Sequence, residues 1–178
     1  MKGSSPLFSN FSSGGSGGNY SEYSSSPLGG NSQPYQKEYS VYAKMMKKDI
    51  KLGVYDLKTG YIKNPTARTL DSMFDGKYVG GPHEQMTIPY VITTKGEVIV
   101  GKRNGFGRGP GALPTPHPTL IGGLDPKVRM AGMLTIKDGK ILSYNNTSGH
   151  FRPNIKSIKW ADEAFKKYPK HIDFRGEK

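Results

Sequence analysis

Residues 128–146 read VRMAGMLTIKDGKILSYNN. Two runs rich in apolar and β-branched residues flank Asp138-Gly139. Asp-Gly between such runs is a strong hairpin signal, because a two-residue turn of matching twist needs positive φ at both central positions. Alternation places Met130, Gly132, Leu134 and Ile136 on one face of the first arm. On the return arm, Ile141 and Ser143 oppose Leu142 and Tyr144. Upstream, MTIPYVITTKGEVIVGKR (86–103) repeats the pattern around Lys95-Gly96. Between the hairpins, TLIGG (119–123) is expected to add a short strand. KEYSVYAKMMKKDIKLG (37–53) carries Tyr42, Met46 and Ile50 at helical spacing, with Tyr39, Ala43 and Met45 widening the stripe. Gly53 supplies its C-terminal stop. A loop-rich stretch follows to about residue 85. In NIKSIKWADEAFKKYP (154–169), Ile158, Ala161, Phe165 and Tyr168 form a second stripe, with Trp160 and Ala164 beside it. Asn154 or Ser157 caps the start and Pro169 ends it. The expected fold class is α+β: an N-terminal helix, a small and mostly antiparallel sheet of two hairpins, and a C-terminal helix.

The chain has 178 residues and a formal charge of +12. Residues 1–40 hold Lys2, Lys37, Glu22 and Glu38 and sum to zero, so the whole excess lies beyond them. Residues 1–36 are Ser/Gly-rich and too poor in aliphatic side chains to offset their ordering entropy. They are expected to be a flexible linker, with residues 37–178 forming one basic domain. Such a domain favours anionic partners. With no cysteine, disulfides and thiolate metal sites are excluded. No apolar run reaches membrane-spanning length and no signal-peptide core is visible, so membrane insertion is not expected, and export is expected to depend on a carrier.

Between the hairpins lies GKRNGFGRGPGALPTPHPTLIGG (101–123). Glycines let backbone N–H groups approach phosphates and cations neutralise them, so Lys102, Arg103 and Arg108 are candidate substrate-binding residues; a plain surface loop is the alternative. The segment is neither a P-loop nor a dinucleotide fingerprint, and Pro110 would break a helix start. No His-Glu-x-x-His spacing points to zinc and no Gly-x-Ser-x-Gly to a serine nucleophile, so no metal or cofactor is expected.

What remains is a pair of histidines in stiff surroundings, His117 in PTPHPTLIGG and His150 in NTSGHFRP. Histidine exchanges protons near neutral pH, and two flanking a phosphodiester can cleave RNA without metal. On extended backbone, Thr119 and Arg152 share a face with the histidines two residues before them. Arg152 is then the candidate for charge stabilisation, while Thr147 and Ser148 offer hydroxyls to a phosphate. Tyr144 and Phe151 are candidates for stacking on a base, or are core. His83, beside Glu84, is a third candidate, and His171 lies in a charged tail.

The block PHPTLIGG … AGMLTIKDGKILSYNNTSGHFRP, followed by one helix, resembles the C-terminal toxin modules of bacterial polymorphic toxins, the variable tips of Rhs, contact-dependent inhibition and type VI secretion effectors. The resemblance covers residues 83–168. It implies a secreted antibacterial toxin carried by a larger secretion-system protein into a target-cell cytoplasm, and an acidic cognate immunity protein. Many such modules are nucleases, so the expected activity is that of a metal-independent ribonuclease acting on RNA, with His117 and His150 as base and acid in an order the sequence does not assign. Others are ADP-ribosyltransferases, in which a His-x-Ser/Thr element grips the nicotinamide ribose; His117-Pro118-Thr119 is similar to it, and NAD is then the cofactor. A non-enzymatic basic interaction domain is the third expectation.

Overall fold

The computed structural model describes residues 32–74, 85–103 and 113–176. His83, Glu84 and Arg108 lie outside the described residues.

Both hairpins form where turn chemistry places them. Strands β4 (Gln85–Thr93) and β5 (Val98–Val100) meet around Gly96, whose φ is 88°. Strands β6 (Val128–Lys137) and β7 (Lys140–Tyr144) meet around Asp138 and Gly139, with φ 53° and 74°. Positive φ at both positions matches the twist of the flanking strands. The chain between β5 and β6 joins two neighbours of β4, since β4 pairs antiparallel with both. The full sheet runs β3-β5-β4-β6-β7-β8, where β3 is Arg68–Thr69 and β8 is Lys170–Arg175. A separate ribbon pairs β1 (Tyr55–Asp56) with β2 (Gly60–Tyr61). The architecture is therefore α+β, with more strands than two hairpins.

One face of the sheet is closed by α2 (Ile158–Phe165). The stripe Ile158, Ala161, Phe165 and Tyr168 packs against Ile88, Tyr90, Met130, Leu134 and Ile136, as helical spacing requires. Phe165 sits 5.2 Å from the Tyr90 ring and 4.5 Å from the Tyr144 ring. A bulge in β7 brings Ile141 and Tyr144 to the same face. The register passes from Thr135↔Ser143 to Ile136↔Ile141 and leaves Leu142 over. Strict alternation put those two side chains on opposite faces; the extra residue overrides it.

The other face carries a second cluster of Tyr39, Tyr61, Val91, Leu120, Ala131 and Phe151, against which α1 (Ala43–Leu52) leans Met45, Met46 and Ile50. Gly53 ends α1 at φ 81°, its N–H returning to the carbonyls of Asp49 and Ile50. Gln33, in the segment expected as linker, gives its backbone N–H to the Arg152 carbonyl at 2.8 Å and its side-chain amide to the Phe151 carbonyl.

One expectation is corrected. TLIGG is not a strand: His117–Leu120 is a 3-10 turn in which the amide and hydroxyl of Thr119 both return to the Pro116 carbonyl. The charged tail around His171 forms β8, parallel to β7, a strand that the sequence reading did not place.

Candidate functional site

The site lies on the α1 side of the sheet, where the turn bearing His117 packs beside β4 and reaches Gly132 of β6. His117 is buried, and its Nε2 lies 2.8 Å from the Gly132 carbonyl. A carbonyl oxygen only accepts, so Nε2 carries the proton and Nδ1 is the basic nitrogen. Burial, with smaller contributions from the charges of His150 and Arg103 and against the opposing effect of the Gly132 bond, depresses the pKa of His117 to about 3. His117 is thus neutral at physiological pH, and the two histidines stand within reach of each other's charge.

Gly132 makes this approach feasible. A Cβ there would stand 1.9 Å from the backbone oxygen of Asn145. Asn145 ends the β6–β7 pairing and redirects the chain. Its Oδ1 accepts from Met133 N and Thr147 N, both at 2.9 Å, and its carbonyl accepts from the Tyr90 hydroxyl at 2.7 Å. These bonds aim the chain from Asn145 toward Thr147, Ser148 and His150.

A shallow depression opens beside His117, walled by Pro89, Pro116 and Met133 and carrying Arg103, Thr115 and Thr147. Pro89 is tolerated in β4 because β5 covers only Tyr90–Ile92. Arg103 is fixed at its backbone: its carbonyl accepts from Thr115 N at 2.8 Å, and the Thr115 hydroxyl bonds the Lys102 carbonyl at 2.7 Å. Asn64 ties the same strand end to the 3-10 turn, giving Nδ2–H to the Lys102 carbonyl and its backbone N–H to Thr119 O. The Lys102 side chain, next to Arg103 in sequence, is exposed.

His150 is buried too. Its Nε2 lies 2.9 Å from Asp49 Oδ2, and that oxygen also accepts from the Tyr61 hydroxyl at 2.7 Å. Burial, then the charge of Asp49, raises the Tyr61 pKa far above its ordinary value, so the phenol stays a donor. Asp49 and Tyr61 were not among the sequence candidates. A signal existed: Asp49 falls three residues after Met46 and four after Met45, on the apolar stripe of α1, where an unpaired charge is costly.

The other candidates occupy different roles. The companionship of residues two apart needs extended backbone, and neither histidine has it. The 148–152 segment is a turn: Phe151 N bonds Ser148 Oγ at 3.2 Å, Arg152 N bonds Ser148 O at 2.8 Å, and Arg152 has φ 46°. Arg152 lays its guanidinium 4.1 Å from the Tyr42 ring centre and bonds the Gly149 carbonyl. Thr119 is fully buried with its hydroxyl on Pro116 O. Tyr144 gives its hydroxyl to Asp162 at 2.6 Å and packs in the α2 core; Phe151 is fully buried in the second cluster. Neither ring offers a face to a base.

No protein-family model, curated protein or solved structure matches this chain. Among the described residues no helix is long and apolar enough to cross a membrane.

Proposed function

We propose that this chain is a metal-independent ribonuclease module, delivered as a toxin tip by a larger carrier and neutralised by an acidic partner. The observation that supports the chemistry is a guanidinium beside a histidine: Arg103 and His117 line the same depression. Phosphoryl transfer gathers negative charge on the phosphoryl oxygens, which a guanidinium stabilises. Breaking a glycosidic bond, as NAD-dependent transfer requires, develops positive charge, which Arg103 opposes.

The two histidines divide the work unequally. His117, neutral down to about pH 3, gives no proton at neutral pH; it positions the substrate through Nδ1. His150 is the proton carrier. It takes the proton of the ribose 2′-OH, the 2′-oxygen attacks phosphorus, the bond to the 5′-oxygen breaks, and that oxygen takes a proton from water. The products are a 2′,3′-cyclic phosphate and a free 5′-OH. Arg103, rather than Arg152, stands at the charged centre, and the Lys102–Arg108 loop guides the RNA backbone.

One feature favours the ADP-ribosyltransferase alternative: a neutral, buried histidine suits a hydrogen bond to a ribose hydroxyl. Parallel incubations of the chain with RNA under excess chelator and with labelled NAD plus cell extract decide between them. RNA fragmentation without label transfer supports the ribonuclease; label transfer with intact RNA overturns it. Full function in a His117→Ala/His150→Ala double variant would instead support a non-enzymatic interaction domain.

A further inference from the structure

We propose that Asp49 and Tyr61 form a buried positioning relay that fixes which nitrogen of His150 exchanges protons, a role that rests on the ribonuclease function proposed for this site. Asp49 is the one fully buried side chain of α1, while the apolar Met45, Met46 and Ile50 beside it are only partly buried. A leucine there would serve packing better, because a carboxylate leaves water at high cost unless donors meet it. Two donors do, and both converge on a single oxygen. Tyr61 reaches Oδ2 from β2 at 2.7 Å, and His150 reaches it from the 148–152 turn at 2.9 Å. Tyr61 is itself held by Tyr55, whose ring meets it edge-on at 4.8 Å.

The chemistry follows from donor and acceptor counting. The phenol of Tyr61 keeps its proton and donates it. The carboxylate accepts, so Nε2 of His150 carries the proton and Nδ1 is left as the basic nitrogen. On protonation, Asp49 compensates the imidazolium charge without moving. Among the described residues, the charged and titratable groups around His150 include Asp49 from α1, Tyr42 before it, Tyr61 and Tyr55 from the β1–β2 ribbon, His117 from the 3-10 turn with Arg103 beyond it, and Arg152 on its own turn. Three separate elements are thereby joined at one oxygen, Asp49 Oδ2, which a purely local packing contact would not require.

The test uses the full chain labelled with 15N at histidine, as wild type, Asp49→Asn and Tyr61→Phe. Asparagine keeps the shape and loses the charge; phenylalanine removes only the outer donor. The wild-type ring of His150 is expected in the Nε2–H tautomer. In Asp49→Asn the tautomers are mixed. The kcat for RNA cleavage falls about a hundredfold while KM changes less than about threefold. Tyr61→Phe shifts the tautomer balance and kcat in the same direction by less. A wild-type tautomer and pH–rate profile in Asp49→Asn overturns the proposal. If Asp49→Asn does not fold, the same unchanged readings in Tyr61→Phe overturn it. If the wild type leaves RNA intact, the ribonuclease proposal fails alone, and the tautomer of His150 still decides the role of Asp49.

Discussion

His117 gives its Nε2 proton to the carbonyl of Gly132, 2.8 Å away, and stays neutral because burial opposes the imidazolium. Unfolding returns the ring to water, where it takes up a proton near pH 6.5, whereas the folded ring does so only near pH 3. The unfolded chain therefore binds the extra proton between those values. The stability this group contributes is fully present above pH 6.5 and is lost progressively as the pH falls toward 3, a span worth on the order of 5 kcal/mol. Urea unfolding of wild type and His117→Gln across this range should show a markedly shallower acid loss in the variant. Equal slopes would contradict the burial of a neutral His117.

Gly132→Ala should be severe. The added methyl meets the Asn145 backbone oxygen at 1.9 Å, and a backbone atom cannot step aside as a side chain can. A loss of about 3 kcal/mol or more in chemical denaturation is expected. A loss under about 0.5 kcal/mol, the range of a neutral surface change, would show that the β6–Asn145 approach is looser than described.

Much of this frame was legible in the sequence, and the misses have physical causes. Asp138-Gly139 declared its turn because few residue pairs accept two positive φ angles. The stripe Ile158, Ala161, Phe165 and Tyr168 declared the buried face of α2 because helical spacing leaves one face to the sheet. The prolines around His117 were read as stiff extended chain. Pro118 instead enters a 3-10 turn, and Thr119 turns inward rather than flanking the histidine. Around His150, Ser148 closes a turn that swings Arg152 onto Tyr42, a tertiary partner 110 residues away. Strand β8 was hidden because an edge strand with Ile172 in solvent shows no apolar alternation. The two histidines were named from their chemistry alone, and the structure gives them separate partners, the Gly132 carbonyl for His117 and Asp49 for His150. The carboxylate behind one of them was visible only as a charge on the wrong face of a helix.

The two arginines should separate by assay. Arg103→Ala should lower kcat for RNA cleavage by about a hundredfold, with melting temperature little changed, and reduce the salt slope of RNA binding by about one. Arg152→Ala should cost about 1 kcal/mol of stability, through its stack on Tyr42, and affect cleavage less. The reverse pattern would return the charge-stabilising role to Arg152.

Phe165→Ala tests the α2 face. Its ring contacts both Tyr90 and Tyr144 and is almost fully buried. Removing it should cost about 3–5 kcal/mol in denaturant titration. A cost near that of a surface residue would mean that α2 does not close the sheet.

The most direct measurement is the chemistry of the fragment ends. RNA and the DNA of the same sequence are incubated with the chain under excess chelator, and products are analysed by mass spectrometry, with His150→Ala in parallel. The predicted result is RNA fragments ending in 2′,3′-cyclic phosphate and 5′-OH, intact DNA, and no fragments with His150→Ala. Intact RNA, fragments ending in 3′-OH, or undiminished cleavage by His150→Ala would contradict it.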